Sequence, residues 1–319
     1  MLFPLLCPYC SELILVESQD HIFPQFLGGS RTITTCKDCN DRFGRTFEGK
    51  AAPLFQRLHF HLAANGVNLQ VEQVRLRRVF KSDGSWYDAE ICDGQPRFTL
   101  SDPIVEIDQD RKVLNAKFGS LKQMPSVRTG IRKKYGVELP KPEIEVTSAL
   151  MPAQEFGLGP ETMKLAIKMS AALATLIPDF APTWMDLKGS QQASLDFWTA
   201  LPLTDVPPLA HVVYAERSAT GIQGVVKFFG AQQVFCSVSA QSDIILPFVH
   251  PKIGVLAFLD PVTGRESFRQ IQRVGLPHPP NAVSVEDIAR GMKIWGDQFR
   301  DAAISRGAAE TFEFSLKQG

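Results

Sequence analysis

Two cysteine pairs, Cys7-Pro-Tyr-Cys10 and Cys36-Lys-Asp-Cys39, constrain the fold of this chain more than any other feature. Four thiolates about 2.3 Å from Zn²⁺ close a tetrahedral shell, so two tight turns must meet at one point. The remaining cysteines, Cys92 and Cys236, are isolated. That usage argues against a secreted disulfide scaffold and for a reducing compartment, the cytoplasm. Zn²⁺ is therefore expected on Cys7, Cys10, Cys36 and Cys39. A shell with no open position braces a fold and does no chemistry.

The chemistry is expected in what the staple encloses. Asp20 and His21 are neighbours between the pairs, and Asn40 follows the last thiol. On a strand, neighbouring side chains point to opposite faces, so Asp20 and His21 must have different tasks. A carboxylate suits a hard divalent cation such as Mg²⁺ or Mn²⁺, and a near-neutral imidazole suits taking a proton from water. Asn40 falls in the first turn of a helix begun by Cys39, where its amide oxygen would complete the cation's protein shell.

The string Cys7-x-x-Cys10, Asp20-His21-Ile22-x-Pro24-x-x-Leu27-Gly28-Gly29, Cys36-x-x-Cys39-Asn40-x-x-Phe43-Gly44 resembles the zinc-knuckle branch of the HNH endonucleases, the ββα-metal nucleases. The resemblance spans residues 7 to 48. It implies a two-stranded hairpin and a helix around one catalytic divalent cation, with Asp20 and Asn40 as its ligands and His21 activating the attacking water. Gly28-Gly29 matches the turn between the strands, and the cysteines match the structural zinc ligands. Hydrolysis of a phosphodiester, leaving a 5′-phosphate, is the implied reaction. The family's asparagine before the second knuckle is replaced here by Ser30-Arg-Thr-Ile-Thr-Thr35, leaving Thr34 or Thr35 to orient the imidazole. A non-catalytic alternative is a zinc-stapled module that only binds nucleic acid or protein.

On the following helix, Arg42 and Arg45 are candidates to hold flanking phosphates, Phe43 and Phe47 to seat the helix on the hairpin, and Glu48 reads as a solvated residue. The 34 basic and 34 acidic residues cancel, so overall charge points to no polyanion. Their distribution does: Arg111 to Lys134 is acid-free, and its Arg128, Arg132, Lys133 and Lys134 are candidates for nucleic-acid contact. DNA is the expected partner. Charge runs are also commonly solvated faces.

A chain of 319 residues with 44% hydrophobic content has room for two domains. We expect an α+β protein: a zinc-braced module over residues 1–65, then a larger domain with a mostly antiparallel sheet over residues 66–319 that recognises or regulates. A ligand-sensing role for that domain, as in a defence effector, and a homo-oligomer fit the same architecture. Leu54 to Ala64 reads as a helix capped at Asn65-Gly66. Pro160 opens another, whose apolar run Met163 to Ile177 carries Lys164 and Lys168, too short and too charged for a membrane span. Strands are expected at Tyr87–Ile91, Val212–Tyr214, Gly224–Phe229, Val234–Val238, Ile244–Val249 and Ile253–Leu259. Ser284 opens a last helix. His59, His61 and His211 show no ligand pattern.

Overall fold

The computed structural model describes residues 5–10, 12–70, 75–82, 84–92, 95–107, 113–117, 124–136, 138, 160–177, 184–186, 191–192, 205–218, 221–230, 232–241, 252–276 and 285–309. The expected strand at 244–249 and the helix-opening Ser284 lie outside them. The chain divides into two compact units, residues 1–72 with 155–319, and residues 73–154.

The first unit begins with a hairpin, β1 (Glu17–His21) and β2 (Thr32–Cys36), paired antiparallel with Asp20 opposite Ile33. Its turn requires both glycines for different reasons. Gly28 has φ 98°, a left-handed conformation open to glycine. At Gly29 a Cβ would lie 1.8 Å from the Phe23 carbonyl oxygen, so no side chain fits. Helix α1 (Lys37–Phe43) follows directly, capped by the Cys36 sulfur, and continues through one π-helical turn (Gly44–Glu48) into α2 (Gly49–Ala64). The helix thus starts earlier than the sequence suggested. Pro53 lies inside this continuous helix, where its ring supplies no N–H to the helical ladder. The predicted cap is present: Val67 N–H donates to Leu62 O and Gly66 N–H to Ala63 O, with Gly66 at φ 100°.

In the second unit β3 (Arg75–Ser82), β4 (Ser85–Cys92) and β5 (Gln95–Leu100) form a meander, β6 (Ile104–Ile107) pairs with β7 (Val113–Lys117), and α3 (Met124–Tyr135) carries the basic run.

The chain returns to the first unit at α4 (Pro160–Ala174). Strands β8 (Trp184–Asp186), β9 (Gln191–Gln192), β10 (His211–Ser218), β11 (Gly221–Phe228), β12 (Gln232–Gln241), β13 (Ile253–Leu259) and β14 (Glu266–Gln272) build an antiparallel sheet in the order β14-β13-β10-β11-β12-β8, with β9 also on β12. Helix α5 (Val285–Ser305) is the last helix among the described residues and buries Phe299 and Ala303. The polar edge strand β14 was not expected, because Glu-Ser-Phe-Arg-Gln-Ile-Gln lacks apolar alternation.

Helix α4 lies between the sheet and the hairpin-helix module, touching β10, β11 and β12 on one side and α2 and the π-helical turn on the other. This explains why it is apolar nearly all round. Its small residues let it approach closely: a Cβ on Gly224 would lie 2.5 Å from Ser170 Cβ. Ile22, Phe23, Phe43, Phe47 and Phe55 of the module share one hydrophobic core with Leu165, Met169, Val213 and Val226. Among the described residues no helix is long and apolar enough to cross a membrane.

Candidate active site

The knuckles come together as expected. The four cysteine sulfurs lie within 4.8 Å of one another, with Cys10 Sγ and Cys36 Sγ 3.8 Å apart. A tetrahedral shell at about 2.3 Å needs sulfurs about 3.8 Å apart, so the donors fit Zn²⁺. Backbone amides point inward: Cys36 N–H donates to Cys7 Sγ and Cys39 N–H to Cys36 Sγ, each at 3.4 Å. A hydrogen bond from Cys39 brings the Cys7 thiol down to about 4, and the same bond pushes Cys39 up. Burial moves Cys10 up to about 11. A bound cation replaces the protons that crowded sulfurs otherwise keep.

Strand β1 sends Asp20 into the interior, 4% exposed, while His21 is half-buried. Two donors engage the carboxylate. Tyr9 O–H donates to Oδ2 at 2.6 Å and Lys168 Nζ to Oδ1 at 2.6 Å. Burial, reinforced by the Asp20 charge, holds the Tyr9 phenol well above its ordinary range, so it stays a donor. Its ring packs edge-on against Phe43, centroids 4.9 Å apart. Lys168 also donates to His21 O at 2.7 Å and pairs with Glu48 Oε1 at 3.0 Å. Glu48, expected to be solvated, is a partner of a buried lysine. Lys168 itself was missed: a lysine inside an apolar helix is a signal for a buried anionic partner.

Asn40 sits on α1 beside the same strand. Its Nδ2 donates to Ser18 Oγ at 2.7 Å and to Gln19 O at 3.1 Å, which fixes the amide's orientation because a carbonyl only accepts. Neither threonine orients His21. Thr34 Oγ1 accepts from Gln19 Nε2, and Thr35 Oγ1 donates to Cys36 O. No described residue hydrogen-bonds the His21 imidazole. The expectation that Thr34 or Thr35 would do so is corrected by the register, which places Thr32 opposite His21.

The arginines divide. Arg42 turns back to the knuckle, its guanidinium 3.7 Å from Cys39 Sγ and over the Phe43 ring. Arg45 is exposed, with Nε donating to Asp41 O. In the second unit, α3 exposes Arg132, Lys133 and Lys134, while Arg128 is half-buried. Arg132 pairs with Glu138 at 3.3 Å, and Lys134 lies over the Tyr135 ring.

The donors implied for Mg²⁺ or Mn²⁺ do not fit a divalent cation in this arrangement. Both Asp20 oxygens are engaged, and Asn40 presents its nitrogen to the strand. Among the described residues the cysteine cluster is the one group of three or more histidine, cysteine or acidic side chains placed to hold a metal.

No curated protein and no solved structure matches the chain. A family comparison does identify the segment just described, and it ends within α2. Residues 7–55 match the HNH endonuclease family, so the knuckles, the β1–β2 hairpin and α1 form an HNH domain at the N-terminal end of this chain.

Proposed function

We propose that this chain is an endonuclease that hydrolyses phosphodiester bonds of DNA in the cytoplasm, with residues 1–65 as the nuclease part and residues 66–319 recognising the substrate or regulating its cleavage. The observation that carries the reading is the family match over residues 7–55, with His21 half-buried beside Asp20 and Asn40 on the facing helix. His21 takes the proton of the attacking water. Arg45, and Arg128, Arg132, Lys133 and Lys134 of α3, are the cations offered to phosphates. A single Mg²⁺ or Mn²⁺ on Asp20 and Asn40, as the resemblance implies, would stabilise charge on the phosphate oxygens once Asp20 is released from Lys168.

Cleavage of plasmid, single-stranded DNA and RNA by zinc-replete protein, with Mg²⁺ or Mn²⁺ added, tests this. Loss of a positioned general base is expected to slow His21→Ala by about 10² to 10⁴-fold. No cleavage of any substrate by the wild-type protein would refute the reading. A second reading, a zinc-stapled binding module without catalysis, is favoured by the Lys168–Asp20 pair alone.

A further inference from the structure

Lys168 is the most constrained charged side chain at the HNH domain. Its side chain is fully buried, and Nζ lies 2.6 Å from Asp20 Oδ1, 2.7 Å from His21 O and 3.0 Å from Glu48 Oε1. An ammonium has three N–H donors, and three oxygen acceptors surround it. Two carboxylates and a carbonyl are also a donor set that a hard cation takes. The lysine comes from α4, 148 positions along the chain from Asp20, and α4 is clamped between sheet and module.

We infer that Lys168 is a resident cation that excludes a divalent ion from Asp20, so that the position of α4 decides whether the HNH domain can load its catalytic metal. The inference rests on the nuclease reading only in naming the ion excluded. A divalent cation on Asp20 would lie within a few ångströms of the ammonium, and like charges at that distance repel strongly where water is scarce. Lys168 has no route to solvent from a fully buried position while α4 keeps its place. Loading therefore requires α4 to shift relative to β1 and the π-helical turn. Without the ammonium, buried Asp20 and half-buried Glu48 become two anions near one carbonyl, and a divalent ion is the natural replacement.

A purely structural ion pair makes a different prediction: removing it costs stability and leaves metal affinity unchanged. The test is a Mn²⁺ titration of full-length, zinc-loaded protein, reading free Mn²⁺ by electron paramagnetic resonance. Wild type is expected to leave Mn²⁺ free without nucleic acid. Lys168→Met and Lys168→Gln are expected to bind one equivalent about 100-fold more tightly, and Asp20→Asn in the same chain to abolish that binding. Equal Mn²⁺ affinity in wild type and both variants would overturn the inference. If neither variant folds, wild type decides: a tight equivalent removed by Asp20→Asn overturns it, and no such equivalent supports it. The two readings fail separately. Mn²⁺ binding by Lys168→Met without cleavage by either protein leaves the exclusion standing and refutes the nuclease, whereas equal Mn²⁺-dependent cleavage by both does the reverse.

Discussion

His59 on α2 and His211 on β10 give the fold a calculable sensitivity to acid. Both are fully buried, with ring centroids 6.2 Å apart, in a cage that includes Phe55, Phe228 and Phe229. His211 Nδ1 accepts from Phe229 N–H, its Nε2 has no partner among the described residues, and neither does either nitrogen of His59. Burial lowers His59 to about 3 and His211 well below its ordinary value, with His59 adding to the latter. In the unfolded chain each titrates near 6.5. Below that pH the unfolded state binds more protons, so stability present above pH 6.5 is lost as pH falls towards 3. Between pH 7.5 and 5.5 one such histidine loses about 1.4 kcal/mol, and the pair about 2.7 kcal/mol. His59→Phe is expected to halve that loss, and to gain about 1 to 2 kcal/mol at pH 7.5 by removing two unpaired nitrogens. Urea unfolding of both proteins at the two pH values measures it, and zinc and carboxylate contributions cancel in the difference. An identical pH loss in wild type and His59→Phe would refute the argument, because it would mean that His59 accepts a proton in the fold at no cost.

Two further outcomes concern the HNH domain. Removal of Zn²⁺ by a chelator, or Cys36→Ser, is expected to unfold the hairpin, because structural zinc contributes about 10 to 16 kcal/mol in small modules, comparable to a whole domain's stability. Retained amide protection in β1 and β2 after complete zinc release would contradict this. Glu266→Ala is expected to loosen the hairpin turn, since that carboxylate accepts from Ser30 N–H at 2.9 Å, Ser30 O–H at 2.7 Å and Arg31 N–H at 3.0 Å. Discounted for solvent exposure, about 1 kcal/mol is at stake, read as faster amide exchange at Ser30 and Arg31; unchanged exchange would count against it.

What was legible in the sequence is what short-range rules control. The CxxC pairs, Gly28-Gly29, the Asn65-Gly66 cap and the proline-opened α4 each depend on residues a few positions apart, and each is present. The strands rich in Val, Phe and Leu were readable, whereas β14 was not, since its pairing with β13 and the hydrogen bonds Glu266 accepts from the hairpin turn come from tertiary placement. His59 was invisible because nothing in Leu-His-Phe-His-Leu shows that α2 buries that face against Phe229. Asp20, His21 and Asn40 could be named, but their partners could not. Thr32 lies opposite His21 by strand register, and Tyr9 reaches Asp20 because the first knuckle folds over the hairpin.

Lys168 carries the larger lesson about coupling. A lysine buried among Leu, Ala, Ile and Met side chains of its helix needs anionic partners, and the lone pairs that satisfy it come from the HNH domain rather than from its own sheet. Glu48 lies on the π-helical turn between α1 and α2, where one extra residue per turn rotates side chains relative to an α-helix; Phe47, on that turn, enters the shared core. Polar and apolar contacts to α4 thus originate in adjacent residues of a single turn. A movement of α4 large enough to free Asp20 must also repack Phe47 and Phe43 in that core, and close-packed interiors respond to such changes as discrete rearrangements rather than gradual ones. On that ground the exclusion of a cation by Lys168 is expected to behave as a two-state property of the first unit, with Asp20 either paired to α4 or free, and the sheet that holds α4 setting the balance.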